Sequence, residues 1–231
     1  MKIQGLAKLT LLDYPGLVAC TVFTGGCNFR CPFCHNASLV LSPADGDEID
    51  EDEFFRFLSR RKGVLDGVCV TGGEPLLQKD LPQFMARIRE LGFKVKLDTN
   101  GALTERLDEI LSANLADYVA MDVKNSPALY GKTAGADINL QNIEKSIALI
   151  MEKAPDYEFR TTVVSGFHTP QSIRGAAEMI KGAKKYFLQG FVDSGALIRP
   201  GLAACTKEQM LEMLAEARAV IPGTALRGVD A

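Results

Sequence analysis

The sequence predicts an α/β fold in which parallel strands close partway into a barrel. Two patterns carry that expectation. Six short, apolar, β-branched runs recur along the chain, and amphipathic helical stretches lie between and after them. The runs fall at 17–24, 66–71, 93–98, 117–122, 157–164 and 186–192. They are nearly continuously apolar rather than alternating, as strands of a parallel sheet covered on both faces are.

The helical stretches carry their own start signals. Asp50 is a candidate N-cap ahead of Phe54, Phe57 and Leu58, which fall at i, i+3 and i+4. Asp80 precedes the stripe Leu81, Phe84, Met85, Ile88 and Leu91. Leu140, Ile143, Ile147, Ile150 and Met151 form another stripe. Thr169-Pro170 places a cap before a proline in a first turn, and Thr206 with Gln209 reads as a capping box ahead of Met210, Met213 and Leu214. Strand–helix units in series imply right-handed crossovers and a parallel sheet. A complete eightfold barrel takes about 250 residues and eight units. Six units therefore predict an open-sided, six-unit (β/α)6 partial barrel, with an open doubly wound sheet as the alternative. In both, the C-terminal ends of the strands form the functional rim. One domain over 1–231, with its core at about 17–221, is expected.

Composition narrows the function. The 231 residues are 47% apolar and 24% charged, enough for a sizeable core and too apolar for disorder. Twenty-six Lys+Arg against 29 Asp+Glu give a net charge of −3, which disfavours a nucleic-acid surface built on clustered basic residues. No apolar run approaches the roughly 18 residues that span a bilayer, and the first residues lack the pattern of a signal peptide. A cytoplasmic protein without membrane or nucleic-acid partners is expected.

Six cysteines stand at Cys20, Cys27, Cys31, Cys34, Cys69 and Cys205. Cys20 and Cys69 lie inside apolar runs and are expected to pack as small hydrophobes, while Cys205 carries no motif. The other three follow the first strand in the stretch Gly25-Gly26-Cys27-Asn28-Phe29-Arg30-Cys31-Pro32-Phe33-Cys34-His35-Asn36. Three soft thiolates spaced CxxxCxxC on one loop suit an iron–sulfur cluster or zinc. Clusters commonly take four cysteines, so three leave one iron of a [4Fe–4S] cube open to a further ligand. The competing reading is a structural Cys3His zinc site using His35, which would have to fold back beside Cys34.

The cysteine spacing, with an aromatic residue just before the third cysteine, resembles the signature of the radical S-adenosylmethionine (SAM) superfamily. The surrounding text resembles more narrowly the glycyl-radical-enzyme activases, above all those serving anaerobic ribonucleoside-triphosphate reductase. The likeness runs from Leu12-Asp13-Tyr14-Pro15-Gly16 through the fifth strand. It implies one [4Fe–4S] cluster on Cys27, Cys31 and Cys34, since the second, ferredoxin-like cysteine insertion of some activases is absent. It further implies reductive cleavage of SAM, with an electron from flavodoxin or ferredoxin, and abstraction of a hydrogen atom from a glycine of a partner glycyl radical enzyme. The alternatives are a small-molecule radical SAM enzyme, such as a deazaguanine-forming synthase, and a zinc-stabilised binding module.

The other strand ends supply candidate SAM ligands. The second ends in Thr71-Gly72-Gly73-Glu74-Pro75, where two glycines permit close backbone approach and Glu74 offers a carboxylate to an ammonium group. The resemblance assigns Gly72, Gly73 and Glu74 to the methionyl amine of SAM. Asp98 ends the third run and Asp122 the fourth, with Lys124 on the same side as Asp122. By the same resemblance these three hold the ribose and carboxylate, and the two aspartates bind a monovalent cation. Ion pairing, capping and solvation are the plainer uses of such aspartates. Arg160 either pairs with Asp122 or faces the cofactor, Gln189 lies on the sixth strand, and His168 is expected at the solvated surface.

Overall fold

A computed structural model describes residues 1–42 and 48–229. Its centre is an eight-stranded sheet whose strands lie side by side in chain order. They are β1 (Ile3–Thr10), β2 (Ala19–Thr24), β3 (Gly67–Gly72), β4 (Lys94–Thr99), β5 (Tyr118–Asp122), β6 (Tyr157–Val163), β7 (Tyr186–Gly190) and β8 (Ala225–Arg227). All six predicted strands are present and pair in parallel. The sheet is open, because β1 and β8 end it as separate edges.

Both edge strands escaped the sequence reading. β1 runs antiparallel to β2, and two irregularities in its register break the alternation that marks a strand. β8 is only three residues long and pairs in parallel with β7. The helices are α1 (Ala37–Leu41), α2 (Glu51–Ser59), α3 (Leu81–Glu90), α4 (Thr104–Ser112), α5 (Tyr130–Ala134), α6 (Leu140–Lys153), α7 (Pro170–Met179) and α8 (Lys207–Arg218). Asp50 caps α2 through the amide of Glu53, and Thr169 and Thr206 close capping boxes with Ser172 and Gln209. Asp80 does not cap α3 with its side chain, whose first turn contains Pro82 instead. α4 was also missed, since its apolar side is only Leu107, Ile110 and Leu111.

Alternate residues of each strand serve two different interiors. Outward residues such as Val22, Val70, Leu97, Met121 and Phe159 are fully buried beneath the helices. Inward, the base of the barrel holds a small cluster of Tyr14, Ala19, Tyr118 and Ala120. Tyr14 comes from the loop before β2 and packs against the Tyr118 ring at 6.0 Å. Gly67 leaves it room, because a Cβ there would stand 3.0 Å from the Tyr14 ring.

Charge lies directly above. Glu158 on β6 is 1% exposed and accepts two hydrogen bonds of 2.7 Å from the Arg227 guanidinium. The Tyr118 hydroxyl donates a third at 2.9 Å, and Arg227 itself lies 3.4 Å over the Phe187 ring. Removing one partner of a buried pair strands the other charge, so Arg227→Ala should lower the unfolding free energy by about 3 kcal/mol, read from urea denaturation.

Candidate active site

The cysteine loop leaves β2 at Thr24 and is held in shape by its own surroundings. The Gly26 amide donates to Leu39 O (2.7 Å), Arg30 N to Ala134 O at the end of α5 (2.9 Å), and Arg199 N to Pro32 O (2.9 Å). Asn36 Nδ2 donates to Gly72 O at 3.0 Å, tying the loop to the end of β3. Phe29 and Phe33 are buried, the latter edge-on to Phe167 and His168.

The thiols of Cys27, Cys31 and Cys34 are free and line one cavity at the C-terminal ends of the strands. Burial pushes all three up, and the Lys124 ammonium works against that on each, favouring the thiolate that a metal requires. His35 lines the same cavity. Its exposed ring stacks on Phe191 at 5.7 Å. Among the described residues no three His, Cys, Asp or Glu side chains gather as a single ion demands. Three thiols on one loop suit a multinuclear cluster, which takes each sulfur at a different corner.

Gly72 and Gly73 also line the cavity. Their glycine identity answers a need within the protein. A Cβ on Gly73 would fall 1.9 Å from Gly26 O, and Gly72, at φ +126°, would meet Thr24 N at 2.2 Å. The end of β3 is thus pressed backbone to backbone against the base of the cysteine loop.

Glu74 departs from expectation. It is fully buried and does not line the cavity. Its carboxylate accepts from Leu76 N (3.1 Å), Thr99 Oγ1 (2.9 Å) and Asn100 N (2.7 Å), which binds the Gly-Gly turn to the end of β4. Burial pushes its carboxyl up to about 7 against the pull of those donors. Through these three hydrogen bonds Glu74 braces the rim, joining the Gly-Gly turn to the end of β4.

Asp98, Asp122, Lys124 and Arg160 do meet at the cavity. Arg160 Nε donates to Asp122 Oδ1 at 2.9 Å and its Nη1 to Asp98 Oδ2 at 3.3 Å. Lys124 Nζ holds Asp122 Oδ2 at 3.0 Å, and Lys96 Nζ holds Asp98 Oδ1. Burial alone would raise Asp122, but Arg160 and Lys124 hold it well below the usual carboxylate range. Arg160 therefore does both things considered for it, pairing with Asp122 and lining the cavity.

His168 is not at the surface. It is 4% exposed, with Nδ1 accepting from Val164 N (3.1 Å) and Nε2 facing Lys124 O at 2.9 Å, so it fixes the strand end that carries Lys124. Cys69 is buried as expected, yet its sulfur also receives Lys96 Nζ at 3.7 Å. Other cavity residues had no assigned role, among them Asn36, Thr99 and Asn100. Asn100 Nδ2 reaches Asn28 Oδ1 at 2.7 Å and Cys27 Sγ at 3.8 Å. Their signal was position, immediately past a cysteine or a strand-ending aspartate.

A three-thiolate loop over the strand ends of an open parallel barrel defines an iron–sulfur enzyme of one class. The chain belongs to the radical SAM superfamily, whose family model matches residues 21–185. Over 197 residues it is 34% identical to a "putative glycyl-radical enzyme activating enzyme" of Methanocaldococcus jannaschii, covering 82% of this chain and 79% of that one. It is 34% identical to the pyruvate formate-lyase-activating enzyme of Clostridium pasteurianum over 54% of this chain and 52% of that one. Similarity also extends to a 7-carboxy-7-deazaguanine synthase of Thermoplasma acidophilum, at 31% identity over 67% of this chain and 70% of the other. Among solved structures, Streptococcus suis SuiB bound to precursor peptide SuiA shares the fold, with a TM-score of 0.70 and 14% identity over 90% of this chain and 48% of that one. Membership implies a [4Fe–4S] cluster and SAM.

Two substitutions probe this architecture. Gly73→Ala should push the cysteine loop away from β3 and reduce iron retained after anaerobic reconstitution by about tenfold, a loss of the size expected when support for a metal site is disturbed. Glu74→Gln turns an N–H2 toward groups that already donate, and should cost about 1–3 kcal/mol in thermal or urea unfolding.

Proposed function

We propose that this chain is an activase that installs a radical on a glycine of a partner glycyl radical enzyme, with anaerobic ribonucleoside-triphosphate reductase as the partner. Cys27, Cys31 and Cys34 hold the cluster, and Gly72, Gly73, Asp98, Asp122 and Lys124 line the place for SAM. Flavodoxin or ferredoxin supplies the electron, and the setting is the cytoplasm. One observation carries the reading: the thiol trio and the charged strand ends line the same cavity.

When bound, the cluster and SAM supply a one-electron bond cleavage that yields a radical able to take hydrogen from carbon. The chain's residues supply the setting. Lys124 offers a cation to a carboxylate while Asp122 keeps it in place. Phe29 and Phe33 pack behind the thiols and restrict water there. Thr71, Thr162 and Gln189 add neutral polar groups to the wall. No general acid or base is needed, and the buried histidine has both ring nitrogens occupied by backbone. The sheet stays open between β1 and β8, the kind of side from which a polypeptide substrate would approach.

The test is an anaerobic mixture of reconstituted protein, SAM, reductant and the reductase, read by electron paramagnetic resonance. A glycyl doublet on the reductase is the expected result. Release of 5′-deoxyadenosine without a protein radical would instead favour the small-molecule chemistry of the deazaguanine synthase relative. Cys31→Ala should retain the fold by circular dichroism and lose SAM cleavage; cleavage at the wild-type rate would remove Cys31 from the ligand set.

A further inference from the structure

The resemblance to activases leads to a monovalent cation beside Asp98 and Asp122, but the donor set does not fit one. All four carboxylate oxygens already face cations of the chain itself. Lys96 takes Asp98 Oδ1, Arg160 takes Asp98 Oδ2 and Asp122 Oδ1, and Lys124 takes Asp122 Oδ2. Three positive groups thus meet two negative ones. A free cation entering this row would lose its water, gain like-charged neighbours, and compete for carboxylate oxygens that each already face an ammonium or guanidinium group.

Lys96 is the unusual member. Arg160 and Lys124 reach the cavity wall, whereas Lys96 does not. Its side chain is 1% exposed, two residues before Asp98 on β4, and it meets its nearest inward neighbours, Asp98 on the same strand and the sulfur of Cys69 directly opposite on β3. Nothing in the proposed chemistry uses it. A buried lysine is costly without a partner and is retained where its charge does work. An ammonium carries the same charge as K+ and differs little from it in size.

We propose that Lys96 is a tethered counter-ion: with Arg160 it holds the Asp98–Asp122 pair in register, so that the cavity functions with no free Na+ or K+. Lys96 is therefore a positioning residue, acting on the cavity through Asp98. The inference rests on the reading of the cavity as the SAM site, although its cation half can be judged without SAM. It separates this chain from an enzyme whose aspartate pair must recruit an ion from solution.

The experiment uses cluster-loaded protein in potassium, sodium or tetramethylammonium nitrate at constant ionic strength. Thallium(I), followed by its own nuclear magnetic resonance, serves as the probe for K+, and labelled SAM is measured by equilibrium dialysis. Wild-type protein should leave the thallium line unshifted and bind SAM within about twofold in all three salts. Lys96→Met keeps the stem and removes the charge. It should bind thallium, lose about tenfold or more in SAM affinity in tetramethylammonium, and recover most of it in potassium. Lys96→Arg should follow the wild type. Thallium binding by the wild type, or a tenfold tightening of SAM by potassium, would overturn the proposal. So would a folded Lys96→Met protein whose SAM affinity ignores the salt, the result a merely structural lysine gives. If Lys96→Met fails to fold, the wild-type thallium measurement still decides. If SAM binds in no salt, the SAM reading of the cavity fails while the thallium result still judges Lys96.

Discussion

A barrel lined with charge must neutralise itself, and most of this structure follows from how it does so. Lys96, Asp98, Arg160, Asp122 and Lys124 alternate in sign across three neighbouring strands. Parallel register sets Asp122 beside Arg160, and the twofold period of a strand sets Lys96 beside Asp98. Each ion is desolvated, and each has an opposite charge in contact. A slip of one residue in any of these strands would turn a charge outward into the layer beneath the helices, so the row fixes register as firmly as the apolar face does.

The cysteine loop depends on a different device. It has no regular structure of its own, yet amides and carbonyls of α5, the segment around Arg199 and the end of β3 hold it. The bare backbones of Gly26 and Gly73 give the tightest of these contacts. Glu74 then links that junction to β4 and Asn100, whose amide reaches the first cysteine. The chain thereby places three sulfurs over the charged strand ends by hydrogen bonding.

Much of this was legible in the sequence, for identifiable reasons. Parallel strands buried on both faces announce themselves as apolar runs, and the cysteine spacing has few competing uses. β1 was hidden by its register breaks, β8 by its brevity, and α4 by its narrow apolar side. The burial of Glu74 and of His168 was not legible, because local sequence tells what a side chain offers and not which way it turns. Glu74 faces donors from Leu76, Thr99 and Asn100, two of them a strand away, and His168 bonds to backbone 44 residues distant. Lys96 was legible as an ion-pair partner for a strand-ending aspartate, because the twofold period of β4 sets it beside Asp98; its contact with Cys69 follows from the parallel register of β3 and β4.

The Glu158–Arg227 clamp has a temporal side. Its partners are separated by 69 residues, and the later one sits on the shortest strand. Until β8 docks, a carboxylate in the middle of the barrel stands without its cation and draws solvent into the space below the cavity. Docking of β8 and completion of the interior are therefore a single requirement, since without Arg227 the Glu158 carboxylate keeps only the Tyr118 hydroxyl.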